Sequence, residues 1–114
     1  MQQIVDLEND NEFINLDVEL VSIAFDSPEV LSAAGEEYGV GLTPLLSDPD
    51  GSVSEAYDVL QWAVATGEPG HTFVLVDQDG KVAWIQDYGA PENRGVMYVE
   101  TFEIAGEVAG ALDR

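Results

Sequence analysis

The chain of 114 residues has no cysteine, one histidine and three basic side chains. Without cysteine there is no disulfide framework, no cysteine zinc site, no iron–sulfur cluster and no thiol nucleophile within these residues. A single imidazole, His71, excludes a multi-histidine metal site. Lys81, Arg94 and Arg114 are the whole cationic complement, which leaves nothing from which to build a phosphate-binding surface for nucleic acid. No apolar run approaches the ~18–20 residues of a membrane helix. The opening residues, MQQIVD, lack the basic flank and apolar stretch of a signal peptide. The serines include no Gly-x-Ser-x-Gly elbow, so serine hydrolase chemistry has no support. Neither an internal repeat nor a low-complexity segment is visible.

What is present is acid. Twenty-three Asp and Glu give a formal charge of −20. The acids are dispersed, the longest run being Glu36-Glu37, whereas an acidic interaction tail is a block of like charge. Apolar residues make up 46% of the chain, enough for a core. The length suits one domain over residues 1–114.

Residues 1–7 fit part of an amphipathic helix through Ile4, Val5 and Leu7, and Asn9-Asp10-Asn11 weakens it. Residues 18–25 read as a strand, its run from Leu20 to Phe25 mostly apolar as in a covered parallel sheet. Ser27 and Pro28 signal a helix start. That helix has an apolar face of Val30, Leu31, Ala34 and Tyr38 and a stop at Gly39. Residues 43–46 are extended and 47–51 form a turn. Ser52 and Glu55 read as a capping box for a helix through Ala56, Val59, Leu60 and Ala63 that ends by Gly67. Residues 72–77 and 81–86 flank an Asp-Gly turn, the strongest local signal, and predict a β-hairpin. After a loop over 87–98, Val99, Phe102, Ala105, Val108 and Leu112 are spaced for one helical face. Gly106 and Gly110 lower that helix's propensity and would let it lie close against a sheet. The order predicts a single α/β domain, a parallel part followed by an antiparallel hairpin.

Three segments carry a family resemblance. They are VELVSIAFDSP over 18–28, LLSDPDG over 45–51 followed by Val53 and Ala56-Tyr57, and TFVLVDQDGKV over 72–82. In this order and spacing they resemble the peroxiredoxin-like branch of the thioredoxin-fold superfamily, the alkyl hydroperoxide reductase/thiol-specific antioxidant and redoxin domains. The resemblance spans about residues 4–88. It implies a thioredoxin-like fold and a thiol-dependent antioxidant oxidoreductase that reduces peroxides or disulfides. Its partner would be a thiol reductant or a second copy of the chain, with no cofactor, no metal and no membrane. The family's nucleophilic cysteine sits at the start of the helix that residues 1–14 continue, and its first core strand lies just upstream. The resemblance therefore implies an N-terminally truncated domain, short of that strand and itself inactive. The alternative is a non-catalytic binding or scaffold module. Three positions before Phe73 the family carries an arginine or a cis-proline. Here Gly70 stands there with Pro69 before it, so Pro69, Gly70, His71 and Thr72 are the candidate residues of the loop facing the active site.

Other constellations have plainer readings. Asp87, Glu92 and Glu100 match no calcium-loop spacing and read as acidic surface. Asp48 and Asp50 lack alternating ligands and a distal glutamate, and read as turn formers. Trp62, Trp84 and Tyr88 read as packing residues rather than a platform.

Dispersed acids with one lysine fit a salt-rich cytoplasm, that of a halophile; the alternative is an acidic mesophilic protein kept soluble by its charge. The Debye length falls from ~10 Å at 0.1 M to ~3 Å at 1 M, which screens the self-repulsion that a compact fold concentrates. The melting temperature is expected to rise between ~0.1 and ~2 M KCl; a flat or falling trend in a thermal scan would contradict this.

Overall fold

A computed structural model describes residues 1–63, 67–68 and 70–113. The hairpin forms where the local signal is strongest. Strand β3 (Thr72–Val76) runs antiparallel to β4 (Val82–Asp87), Phe73 opposite Gln86 and Leu75 opposite Trp84, with a bulge between Leu75 and Val76. Two shorter strands, β1 (Ser22–Ala24) and β2 (Leu45–Ser47), precede them in the chain. The Asp77 carboxylate accepts the N–H groups of Asp79 and Lys81 at 2.9 and 3.0 Å, and Gly80 takes the positive φ of 78° that closes the turn.

The parallel part is smaller than its sequence predicts. Strand β1 is Ser22–Ala24 and pairs in parallel with β2, Leu45–Ser47. The rest of 18–25 is not in a ladder, although Val18 and Leu20 still pack against the core. The limit comes from β2. Pro44 precedes it without an N–H to donate, and Asp48 follows it into a turn.

Helix α1 is Gln2–Glu8 and α2 is Asn11–Ile14. The Asp10 carboxylate accepts the Phe13 N–H at 3.0 Å, so the break expected at 9–11 is a new helix start. Helix α3, Pro28–Tyr38, begins on Ser27, whose Oγ accepts the Val30 N–H at 3.3 Å, and ends on a left-handed Gly39. Its buried face differs from the expected one. Leu31 and Gly35 are buried and Ala34 half-buried, while Val30 and Tyr38 are exposed. Val30 lies about 90° off the stripe that Leu31, Ala34 and Gly35 share at i, i+3, i+4, whereas Tyr38 is on the stripe at i+7 but is the last residue of the helix and stays exposed. A side chain at Gly35 would meet Leu45 Cδ1 at 2.8 Å, so this glycine sets the approach of α3 to β2.

Helix α4 is only Ser52–Ala56, and the expected capping box is absent. The Asp48 carboxylate caps instead. It accepts the N–H groups of Val53 and Ser54 at 3.1 and 2.8 Å and the Ser54 hydroxyl at 2.9 Å. These bonds outweigh the upward push of burial and hold the carboxyl below its usual range. Ser52 is the first helical residue, one position too far along to cap. The helix does not run on to 63. Asp58 adopts φ 61°, the Gln61 amide donates to its carbonyl and carboxylate, and Val59–Trp62 is a 3₁₀ turn. Gly67 has φ 83°, while residues 64–66 lie outside those described.

The loop after β4 contains a 3₁₀ turn, Pro91–Asn93, and α5 is Thr101–Leu112. Val99, Ile104, Ala105 and Val108 are buried, but Phe102 is 68% exposed. At 100° per residue, Phe102 lies roughly 100° from the centre of the stripe formed by 104, 105, 108 and 112. A side chain at Gly106 or Gly110 would meet nothing within 4 Å, so these glycines do not bring α5 close to a sheet. The core joins Leu7, Phe13, Leu75, Tyr88 and Val99 to the buried face of α5.

Among the described residues the four strands make two separate two-stranded sheets, β1–β2 and β3–β4. Helix α1 reaches both. At its end, Glu8 accepts the N–H groups of Gly41, Leu42 and Thr43 at 2.9, 2.9 and 2.6 Å and the Thr43 hydroxyl at 2.6 Å. Desolvation raises the carboxyl, but these donors win and bring it down to about 2.

Two outcomes follow from these carboxylates. Asp48→Ala lowers the melting temperature, whereas Ser52→Ala changes stability by no more than about 0.5 kcal/mol; equal effects in parallel denaturation curves would remove Asp48 as the cap. The Glu8 carboxyl is depressed from 4.5 to about 2, so its contribution is complete above pH 4.5 and is lost as pH falls toward 2. Glu8→Gln therefore flattens the acid limb of stability against pH over that window, and an unchanged acid limb would count against the assignment.

Candidate functional site

The residues singled out at 69–72 sit at the head of β3. Pro69 lies outside the described residues. Gly70, His71 and Thr72 line a cleft of about 870 Å³ that runs between the two sheets. Met1 and Gln3 of the α1 segment line it from the same end.

His71 is held on three sides. Its carbonyl accepts the Tyr88 N–H at 2.8 Å, extending the hairpin by one pair. Its ring meets Phe73 edge to face, 5.1 Å between centroids and 82° between planes. Its Nε2 lies 3.0 Å from Gln3 Oε1. Gln3 is itself buried, with its amide set against one peptide group: Nε2 donates to the Val99 carbonyl at 2.9 Å, and the Val99 N–H donates to Oε1 at 2.7 Å. That pairing fixes which end of the amide is oxygen, and hence that His71 carries a proton on Nε2. Burial pushes the His71 pKa down, the Met1 ammonium pushes it further, and Asp87 partly opposes them. The neutral imidazole with Nε2–H is thus the form the site favours.

Thr72 leads to the second buried polar centre. Its hydroxyl donates to Asp87 Oδ1 at 2.7 Å. Asp87 Oδ2 accepts the Ala90 N–H at 2.9 Å and the Asn93 amide at 3.1 Å. Burial raises this carboxyl, but the donors Thr72, Ala90, Asn93 and Gly89 outweigh it and hold the group below its usual range. With its oxygens occupied, Asp87 organises the loop after β4. It is not brought together with Glu92 and Glu100 as a cation site, and no metal-holding group of three His, Asp or Glu occurs among the described residues.

The aromatics divide. Trp84 stacks on Phe73 at 6.4 Å and 28°, and Tyr88 meets Phe73 edge to face at 5.9 Å. Trp62 stands apart in its 3₁₀ turn. The shared partner is Phe73, so these rings brace the hairpin under His71.

Two further residues set this geometry. Gln3 is a polar residue one turn before Leu7, on the buried side of α1; a polar side chain inside an apolar stripe is the signal that marks it. Gly89 crosses the start of β3 so closely that a side chain there would meet His71 N at 2.7 Å. Its signal is weaker, a glycine just after a strand.

With its Nε2–H committed to Gln3, the neutral imidazole keeps Nδ1 as an acceptor only, and the cleft can bury an extended apolar group. The arrangement offers no thiol of its own. No helix is long and apolar enough to cross a membrane among the described residues.

Comparison with known proteins gives one match. The AhpC/TSA family model matches residues 2–85. No curated protein and no solved structure matches the chain. The match covers well over half of the sequence and includes all three segments on which the resemblance rests. It agrees with the mixed α/β architecture, parallel strands followed by an antiparallel hairpin. The chain belongs to the AhpC/TSA family, with the thioredoxin-like fold and the redoxin-like, thiol-dependent oxidoreductase character that membership carries.

Proposed function

We propose that this chain is a redoxin domain of a system that reduces peroxides or disulfides, and that the nucleophilic thiolate is supplied by none of these 114 residues. The observation that carries the reading is the family match over residues 2–85 in a sequence with no cysteine. Peroxide reduction in such chemistry begins with thiolate attack on a peroxide oxygen, which yields a sulfenic acid and releases water or an alcohol. The chain has no group that can enter that cycle. Gly70, His71 and Thr72 form the loop that faces the reacting centre. His71, its Nε2–H held by Gln3, serves it as a neutral acceptor at Nδ1, and a thiol reductant is the partner. The charge of −20 with a single lysine supports a working environment of concentrated salt, in the cytoplasm of a halophile.

The purified, metal-free chain is expected to show no catalytic turnover of hydrogen peroxide with dithiothreitol or thioredoxin. Met1 and Met97 oxidise only stoichiometrically, which intact-mass measurement counts. Repeated turnovers per chain would overturn the proposal.

A further inference from the structure

A second cleft lies at the far end of α1 from His71. It holds about 430 Å³ between the segment that leaves α2 and the loop before β2. Its lining takes nothing from the hairpin or from the first six residues. The backbone explains why it is open. The Ser22 N–H donates to the Pro44 carbonyl at 3.0 Å, and proline has no N–H with which to extend the pairing. Residues 18–21 and 42–44 are out of the ladder and stand apart as two walls.

Both walls are fixed. On one side Glu8 accepts the N–H groups of Gly41, Leu42 and Thr43. On the other, the Leu16 and Asp17 N–H groups each donate at 3.1 Å, to the Phe13 and Ile14 carbonyls, and Asp17 adopts φ 57° as the chain turns out of α2. These walls present aliphatic side chains to water. Leu42 is 93% exposed, Ile14 52% and Val21 47%, and all three line the cleft. A lone surface leucine is ordinary, whereas three aliphatics around one concavity, one of them on a pinned main chain, mark a docking surface. The charged side chains of the lining are Glu8, Asp17 and Glu19. Glu8 is committed to the backbone. Asp17 and Glu19 are exposed, and their carboxylates have no partner among the described residues.

We propose that this cleft docks a short cationic and apolar segment of another protein. One leucine-sized side chain sits among Ile14, Val21 and Leu42, and a lysine or arginine on either side of it meets Asp17 and Glu19. The size fits: a packed residue takes roughly 3.3 × 4.8 × 10 Å, about 160 Å³, so 430 Å³ holds about three residues. Charge complementarity selects the partner. A second copy of this chain brings three basic residues against 23 acids. Of those three, Arg94 is already paired with Glu103 and Lys81 belongs to the hairpin turn. The cations therefore come from a different polypeptide. Walls held in place before binding lower the ordering cost, which lets so small a contact hold. The inference stands on these residues alone, whether or not the domain serves thiol chemistry.

The test titrates the intact chain with a capped peptide, glycine-lysine-leucine-lysine-glycine, and follows the methyl resonances of Ile14, Val21 and Leu42 in ~0.15 M KCl. Two relatives carry glutamate for both lysines, or serine for leucine. The first peptide is expected to shift those methyls saturably at millimolar concentration and to leave the Val74 and Val82 methyls of the hairpin unchanged. The glutamate peptide binds about tenfold more weakly, and the gap narrows to about twofold in ~2 M KCl. The serine peptide binds about tenfold more weakly at either salt concentration. Leu42→Ser, a change at an exposed side chain, leaves the melting temperature unchanged and weakens binding about fivefold. Several results would overturn the proposal: no saturable shift, equal affinity for the glutamate or the serine peptide, shifts confined to the hairpin methyls, or undiminished binding to Leu42→Ser. Sedimentation showing a dimer that Leu42→Ser dissociates would overturn it too, by making a second copy the occupant.

Discussion

Two small sheets that share no ladder have to be joined by something else, and helix α1 joins them. Glu8 at one end gathers three successive backbone N–H groups of the loop before β2. Gln3, one turn and a little earlier, pairs with the Val99 peptide and touches His71 at the head of β3. Leu7 lies between them at 1% exposure, in the core that α5 and the hairpin complete. The strut works because both polar side chains substitute for secondary-structure partners, each satisfying main-chain groups that burial would otherwise leave unpaired. Asp6 adds an exposed contact, accepting the hydroxyl of Tyr98, the residue next to Val99.

The acidic composition is put to one recurring use. Glu8, Asp10, Asp48, Asp77 and Asp87 each accept backbone N–H groups at a helix start, a turn or a loop. Among the described residues the ion pairing is a single contact, Arg94 with Glu103 at 2.6 Å, on a largely exposed arginine that also lies 5.4 Å from the Tyr88 ring centroid. Such a pair contributes little. Carboxylates that bond the main chain stabilise local structure without lowering net charge, so architecture and self-repulsion grow from the same residues. Screening by salt relieves the second while leaving short, local hydrogen bonds largely intact.

How much of this was legible depended on range. The hairpin, the Ser27 start of α3 and the Gly39 stop are written in adjacent residues, and they form where the pattern puts them. The α4 cap was misplaced because Ser52 and Glu55 fit a motif while Asp48, four residues earlier, is better placed for the same N–H groups. Phe102 was assigned to the core because a spacing of three from Ala105 looks sufficient, but the stripe is centred elsewhere. At the candidate site, His71 and Thr72 could be named from the chain, whereas Gln3 owes its role to Val99, 96 residues away, a distance no local pattern spans. The family was legible from three short segments because each is a strand-to-turn junction, where geometry restricts residue choice most.

That same separation has a consequence for synthesis. Gln3 and the Val99 peptide group it pairs with leave the ribosome 96 residues apart. At ~5–20 residues per second, the interval is about 5–20 seconds. For most of that time α1 lacks its hairpin, and for all of it the α5 surface, so Ile4 and Leu7 have no complete core to enter. The hairpin can close on itself within microseconds of emerging, but it cannot be docked until Val99 arrives. The joint therefore closes long after α1 is made, and until then the stretch from Gln3 to Val99 is an acidic polymer kept apart from its neighbours by charge.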